Sequence, residues 1–232
     1  MVPRFIGAHD DPILMTAPAR PRAALIVLHA PGENRTGNGY LFASLARTLT
    51  GHGVATARFD LSGFGESLGP PGVQIWDNQC LGALSAVRRE LPGVPVHWLA
   101  RGASAALLPA DGTEGNRMAL SPPLPEELRR LADLADPEGH VIGRASPPAD
   151  EAGLWAWLGA DPTLVGGLVL EADHLQDLAL RLADPRWDTE LGPADRQPRV
   201  LSRIVVSEED PLVRLEAARI GLISLVADYL EG

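Results

Sequence analysis

The stretch VHWLARGASAALLPA, residues 96–110, decides how this chain is read. An apolar strand, Val96 to Leu99, runs into a cluster of small residues (Ala100, Gly102, Ala103, Ser104, Ala105, Ala106) and then into an apolar helical run. A strand that turns sharply into a helix tolerates only small side chains around its apex, because the backbone doubles back on itself there. In enzymes that use such a junction the apex carries the nucleophile. Here no serine or cysteine stands where the pattern most naturally puts one.

Working outward, "AALIVLHAP" (Ala23 to Pro31) is a continuous apolar run, which suits a strand buried on both faces of a parallel sheet. "YLFASLARTLTGHG" predicts a helix with Leu41, Phe42, Leu45 and Leu49 on one face. "VATARFD" predicts a second strand opening into the glycine loop "LSGFGESLGPPG". A helix follows over "IWDNQCLGALSAVRREL", its stripe running through Ile75, Cys80, Leu84 and Val87, and "VPVHWLA" returns to strand. This alternation predicts an α/β fold with a doubly wound, mostly parallel sheet. A fourth strand is expected in "NRMALSPPLP", then a small helical, cap-like insertion over about 124–165 containing Trp155 and Trp157. A shortened C-terminal part holds one strand, "RVLSRIVVS", and a helix from Pro211 to Leu230 with the stripe Leu215, Ala218, Leu222, Val226 and Tyr229.

Composition narrows the function classes. The 232 residues make one domain, and the 45% apolar and 22% charged shares are those of a globular protein. No apolar run approaches the roughly 20 residues of a membrane span, and the first residues lack the pattern of a secretory signal, so the expectation is a cytoplasmic protein. Cys80 is the only cysteine and is expected to be a buried, inert thiol. A net charge of −10 argues against nucleic acid as a partner. The six histidines show no ligand spacing, and "GFGES" lacks both the Lys-Ser/Thr of a phosphate loop and the third glycine of a dinucleotide site. Neither metal nor cofactor is therefore expected.

Three stretches, in order and spacing, resemble the α/β-hydrolase superfamily: "IVLHAPGENRTGNGYLFASLAR", "ARFDLSGFGES" and "HWLARGASAALL". The resemblance is nearer still to the bacterial hydrolases encoded with exosortase and PEP-CTERM systems. It rests on Pro31 and Gly32, Arg35 and Gly37, Phe42, Leu45 to Arg47, Arg58 to Asp60, and Gly63 to Ser67. It covers the first half of the chain well and the second in outline. It implies a nucleophile on the strand-to-helix turn, an oxyanion site of backbone N–H groups, and an acid and a histidine later in the chain.

Set against that pattern, the turn fits three registers. Strand length puts Gly102 at the nucleophile position, the small-residue pattern puts Ala100 there, and a third register offers Ser104, which otherwise reads as a small residue allowing close helix packing. In "IVVSEEDPLV" Asp210 stands where the acid would be, and equally where the last helix would be capped. No histidine follows Asp210; His174 in "VLEADHLQDLAL" precedes it, against the usual order. His29, Ala30, Gly32, Glu33 and Arg35 after the first strand, Ala100, Arg101 and Gly102 at the turn, and Trp155 and Trp157 in the insertion are the residues expected around a ligand pocket. Asp60 and Ser67 are expected to organise the glycine loop.

Two functions follow. The first is a hydrolase scaffold without the standard nucleophile and histidine, a non-catalytic binding or accessory protein for a small molecule or protein partner, with a homodimer or an active paralogue among the partners. The alternative is a serine hydrolase of the esterase, thioesterase or peptidase type using Ser104. Genomic association with exopolysaccharide or envelope biogenesis is implied by the resemblance alone.

Overall fold

The computed structural model describes residues 3–7, 12–110, 115–133, 140–141, 170–191 and 216–231. In chain order the elements are β1 (Arg4–Ile6), β2 (Ile13–Thr16), β3 (Ala23–Leu28), α1 (Leu41–Gly51), β4 (Val54–Arg58), α2 (Val73–Glu90), β5 (Val96–Arg101), a 3-10 segment (Gly102–Leu107), β6 (Arg117–Leu120), α3 (Pro125–Ala132), β7 (His140–Val141), β8 (Leu170–Glu171), α4 (Ala172–Leu182), β9 (Thr189–Leu191) and α5 (Glu216–Glu231).

Seven strands form one sheet in the order β1-β2-β4-β3-β5-β6-β9. From β4 to β9 all pairings are parallel, whereas β1 and β2 make an antiparallel hairpin on the outer side of β4. A separate antiparallel pair joins β7 to β8. The apolar run "AALIVL" became β3 because every one of its six residues is covered, and the sheet order reverses direction around it. Such reversals place a crevice at the carboxyl ends of the strands, and the site lies there.

Helices cover both faces. One apolar layer joins Ala23, Leu25, Val27, Val54 and Leu99 to Leu41, Phe42 and Leu45 of α1 and Leu222, Ile223 and Val226 of α5. The other joins Ala24, Ile26, Leu28, Trp98 and Ala100 to Trp76 and Ala83 of α2, Leu128 of α3 and Leu175 and Leu178 of α4. Polar ties fix the outer helices. Arg22 donates from Nε to the His52 carbonyl at 2.8 Å and from Nη1 to the Leu230 carbonyl at 2.7 Å, tying the end of α1 to the end of α5. Arg181 on α4 grips Asp77 on α2 through both carboxylate oxygens, at 2.8 and 2.9 Å. Cys80 is a buried free thiol whose pKa burial pushes up, so it stays protonated.

The fold class matches the expectation, with corrections in detail. The buried face of α2 is Val73, Trp76, Gln79, Cys80, Ala83, Ala86 and Val87, so Cys80 and Val87 of the expected stripe are covered, while Leu84 is half-buried and Ile75 is exposed. Trp76 is the larger apolar surface, and burying it turns the helix. The hairpin β1–β2 and the three-residue β9 escaped the sequence reading because they are too short to show a period. Residues 199–207, read as a strand, lie outside the described residues, as does most of the insertion over 124–165; its first helix is α3. Among the described residues no helix is long and apolar enough to cross a membrane.

Candidate functional site

β5 ends at Arg101, and Gly102 takes φ +59. A side chain there would meet its own backbone, at a cost of about 1–2 kcal/mol, so the turn favours glycine. Gly102 to Leu107 are all buried. The apolar helix expected after the turn is only a 3-10 segment, because Leu108 is extended (φ −60, ψ 136), the conformation that the following Pro109 imposes.

Ser104 lies inside that segment, 1% exposed, and its hydroxyl donates to the backbone carbonyl of His29 at 2.7 Å. The His29 ring is also held by backbone. Its Nε2 accepts the N–H of Leu61 at 3.0 Å, which makes Nδ1 the protonated nitrogen, and Nδ1 donates to the carbonyl of Ala30 at 2.8 Å. Burial lowers the pKa of His29, against the opposing pull of the Ala30 carbonyl and of Asp60. His29 is thus a neutral staple between the loops after β3 and β4, its ring edge-on to Phe64 at 5.9 Å. A row of rings continues from Phe64 to Trp76 (5.8 Å) and from Trp76 to His174 (6.4 Å). His174, half-buried on α4, packs against Trp76 at the end of this row.

The loop after β3 turns at once. Pro31 followed by Gly32 at φ +89 are the residues a type II turn requires, and the N–H of Glu33 closes it on the carbonyl of Ala30 at 3.0 Å. The turn carries the Glu33 carboxylate back onto its own strand. Oε2 accepts the N–H of Ala30 at 3.2 Å, and Oε1 lies 2.7 Å from Nη1 of Arg101, with the two side chains 3% and 5% exposed. Farther along, Asp60 is a hub: it accepts the Arg35 N–H at 2.6 Å and the Glu66 N–H at 3.0 Å and pairs with the Arg35 guanidinium, which also reaches Glu66. Arg58, buried beside this hub, is pushed down to about 10 by burial and by Arg35 and Arg47, with Asp60 opposing.

A cavity of about 20 Å³ is lined by Pro12, Arg35, Phe59, Asp60, Glu66, Ser67 and Gln79. Of the residues expected around a pocket, Arg35 lines it, while His29, Ala30, Glu33, Ala100, Arg101 and Gly102 are packed in the interior and Gly32 is exposed. Asp210, Trp155 and Trp157 lie outside the described residues.

This arrangement was compared with known proteins. No family model matches the chain, and no curated protein matches it. Solved structures do. A thermostable carboxyl esterase from Bacillus coagulans superposes with a TM-score of 0.59 over 99% of this chain and 99% of its own, at 12% identity. Mouse α/β hydrolase domain-containing protein 10 gives 0.58 over 100% and 99%, at 13% identity. The chain has the α/β-hydrolase fold. A monoacylglycerol lipase from Paleococcus ferrophilus shares that fold too, with a TM-score of 0.55 over 94% and 99% at 15% identity. At these identities the likeness speaks to the fold and not to the reaction.

Within the α/β-hydrolase fold, the N–H groups of the loop after β3 normally help to hold an oxyanion. Here the Ala30 N–H is taken by Glu33, Pro31 has none, and those of Glu33 and Arg35 go to Ala30 and Asp60. The sequence reading placed Glu33 and Arg101 near one another without foreseeing their pairing. It missed Gln79, whose amide oxygen accepts the Ser62 N–H at 2.8 Å; its place three residues after Trp76 on α2 was the available signal.

Proposed function

We propose that this α/β-hydrolase-fold chain is a non-catalytic binding or accessory protein. The observation that carries the reading is the apex of the turn: the residue with left-handed φ is Gly102, which has no side chain to attack a substrate. Three further features support it. Ser104 is buried and bonded to the backbone carbonyl of His29, the His29 imidazole has both nitrogens engaged with backbone, and a carboxylate sits on the Ala30 N–H. A hydroxyl nucleophile needs a base within about 3 Å that is itself oriented by an acid, and Ser104 instead donates its hydrogen bond to a carbonyl.

The ligand in this reading is a small molecule or a protein, including a second copy of the chain or an active paralogue, and no cofactor is invoked. The resemblance to exosortase-associated hydrolases supports a role beside exopolysaccharide or envelope biogenesis. The test is exposure of the folded protein to a fluorophosphonate serine probe, with Ser104→Ala beside it and labels mapped by mass spectrometry. No label in either sample is the expected result. A label on Ser104 that disappears in the variant overturns the reading and makes the protein a serine hydrolase.

A further inference from the structure

Arg58 is the last residue of β4 and is 5% exposed. It lies in register with Leu14 of β2 and Val27 of β3, and residues opposite one another in a sheet point to the same face. Val27 belongs to the apolar layer beneath α1, so the Arg58 side chain leaves the sheet towards α1. Its guanidinium forms no ion pair among the described residues. Nη1 donates to the Arg35 carbonyl at 3.1 Å, Nε is enclosed without a partner, and Nη2 donates to no described group, which leaves it as the edge that meets solvent. Nε and Nη2 together are the fork with which a guanidinium grips two oxygens at once. Burial first, then Arg35 and Arg47, push the pKa of Arg58 down to about 10, with Asp60 opposing. Of those two neighbours Arg35 is committed to Asp60 and Glu66, whereas Arg47, exposed on α1, donates from Nη2 to the Ser44 hydroxyl at 3.1 Å.

We infer that Arg58 and Arg47 form a surface binding site for a phosphate group where α1 meets the end of β4, the fork of Arg58 taking two oxygens from below and Arg47 a third from the exposed side. Two observations carry it. A cation this deeply covered is ordinarily paired, and the bonding edge of Arg58 is the one left unused. A second arginine stands over the same spot with no ion-pair partner among the described residues, so the local charge calls for a dianion with several oxygens rather than for a halide. The neighbouring Asp60 carboxylate does not repel such a ligand, because the Arg35 guanidinium and the N–H groups of Arg35 and Glu66 already compensate it. The site is separate from the Gly102 turn and holds whether or not the chain is catalytic.

The experiment is a melting titration of the native chain with sodium phosphate against sodium chloride at equal ionic strength. Phosphate should raise the midpoint saturably, by about 3 °C or more at saturation. General salting-out also raises midpoints, but it does not saturate and does not depend on one side chain. Arg58→Met should therefore abolish the saturable part. Should that buried substitution unfold the chain, Arg47→Gln, at an exposed position, gives the decision alone: its half-saturating phosphate concentration should be at least about fivefold higher. Absence of a saturable rise in the native chain, or an unchanged half-saturation in Arg47→Gln, overturns the site. Phenyl phosphate titrated in the same way separates the two sources of the group. Tighter binding of the ester supports the site as one for a phosphorylated small molecule, and equal or weaker binding supports it as one for free phosphate. A fluorophosphonate label on Ser104 beside a saturable phosphate effect would discard the non-catalytic reading and leave this site standing; neither label nor phosphate effect would do the reverse.

Discussion

The hydroxyl of Ser104 donates to the carbonyl of His29 across 2.7 Å, joining residues 75 apart in the chain. The bond ties the segment after β5 to the end of β3. Ser104→Ala removes the donor and leaves a buried carbonyl short of one partner, a loss of about 1–3 kcal/mol. Urea denaturation should show a lower midpoint with an unchanged slope. A nucleophile held in strain would behave differently, its removal leaving stability unchanged or higher.

Restoring a serine at the apex should not restore chemistry. Gly102→Ser places a side chain at φ +59 and should cost about 1–2 kcal/mol. On the non-catalytic reading, the variant should hydrolyse p-nitrophenyl acetate at the buffer rate. Turnover above buffer would show that a base lies within reach.

Acid should weaken the fold before its carboxylates titrate. His29 is held neutral by burial, against the Ala30 carbonyl and Asp60, and His97 by burial and Arg22, so both have folded pKa values below the ordinary 6.5. The unfolded chain takes up those protons first; stability is therefore full above pH 6.5 and falls as pH drops through that value towards the lower folded pKa values. Melting midpoints measured between about pH 7.5 and 5 should decline, and less steeply in His97→Gln. A flat profile would remove both assignments.

The Glu33–Arg101 pair should behave as buried pairs do. Glu33→Leu or Arg101→Met alone should destabilise by about 3–5 kcal/mol, because each breaks a buried ion pair. Replacing both, with Leu at 33 and Met at 101, should recover most of that loss. Denaturation of the four proteins in a double-mutant cycle measures the coupling, and additive losses would contradict a direct pair.

On the outer layer, Arg181→Lys keeps the charge but gives up the two-pronged grip on Asp77. Both side chains are partly exposed, so the loss should stay near 1 kcal/mol or below. Hydrogen exchange should report it as faster opening of α4 rather than of the sheet.

Long periodic elements were legible in the sequence. The uninterrupted apolar run of β3 and the stripe of α1 are each written over enough residues for burial to show as pattern. The turn at Ala30 to Glu33 was equally readable in retrospect, since Pro-Gly is turn chemistry. The pairing of Glu33 with Arg101 was not, because it joins residues 68 apart (101 − 33) through the parallel pairing of β3 with β5, and a charge in a loop looks solvated until its neighbours are known. The start of the α2 stripe was misplaced for a related reason, although Cys80 and Val87 are covered as expected: Ile75 and Trp76 both fit a helical period, and the larger ring decided which one the sheet would cover.

The place of β3 in the middle of the sheet sets the order in which the nascent chain can be assembled. By Arg58 the ribosome has released β1, β2, β3 and β4, enough to close one side of the sheet in its final order. The other edge of β3, fully apolar on both faces, has to wait for β5, whose last residue emerges 43 residues later (101 − 58). At about 5–20 residues per second that interval is roughly 2–9 seconds, during which an open, hydrophobic strand edge is exposed to other chains. Slow translation between residues 58 and 101 should therefore lower the yield of native protein more than slow translation after β6.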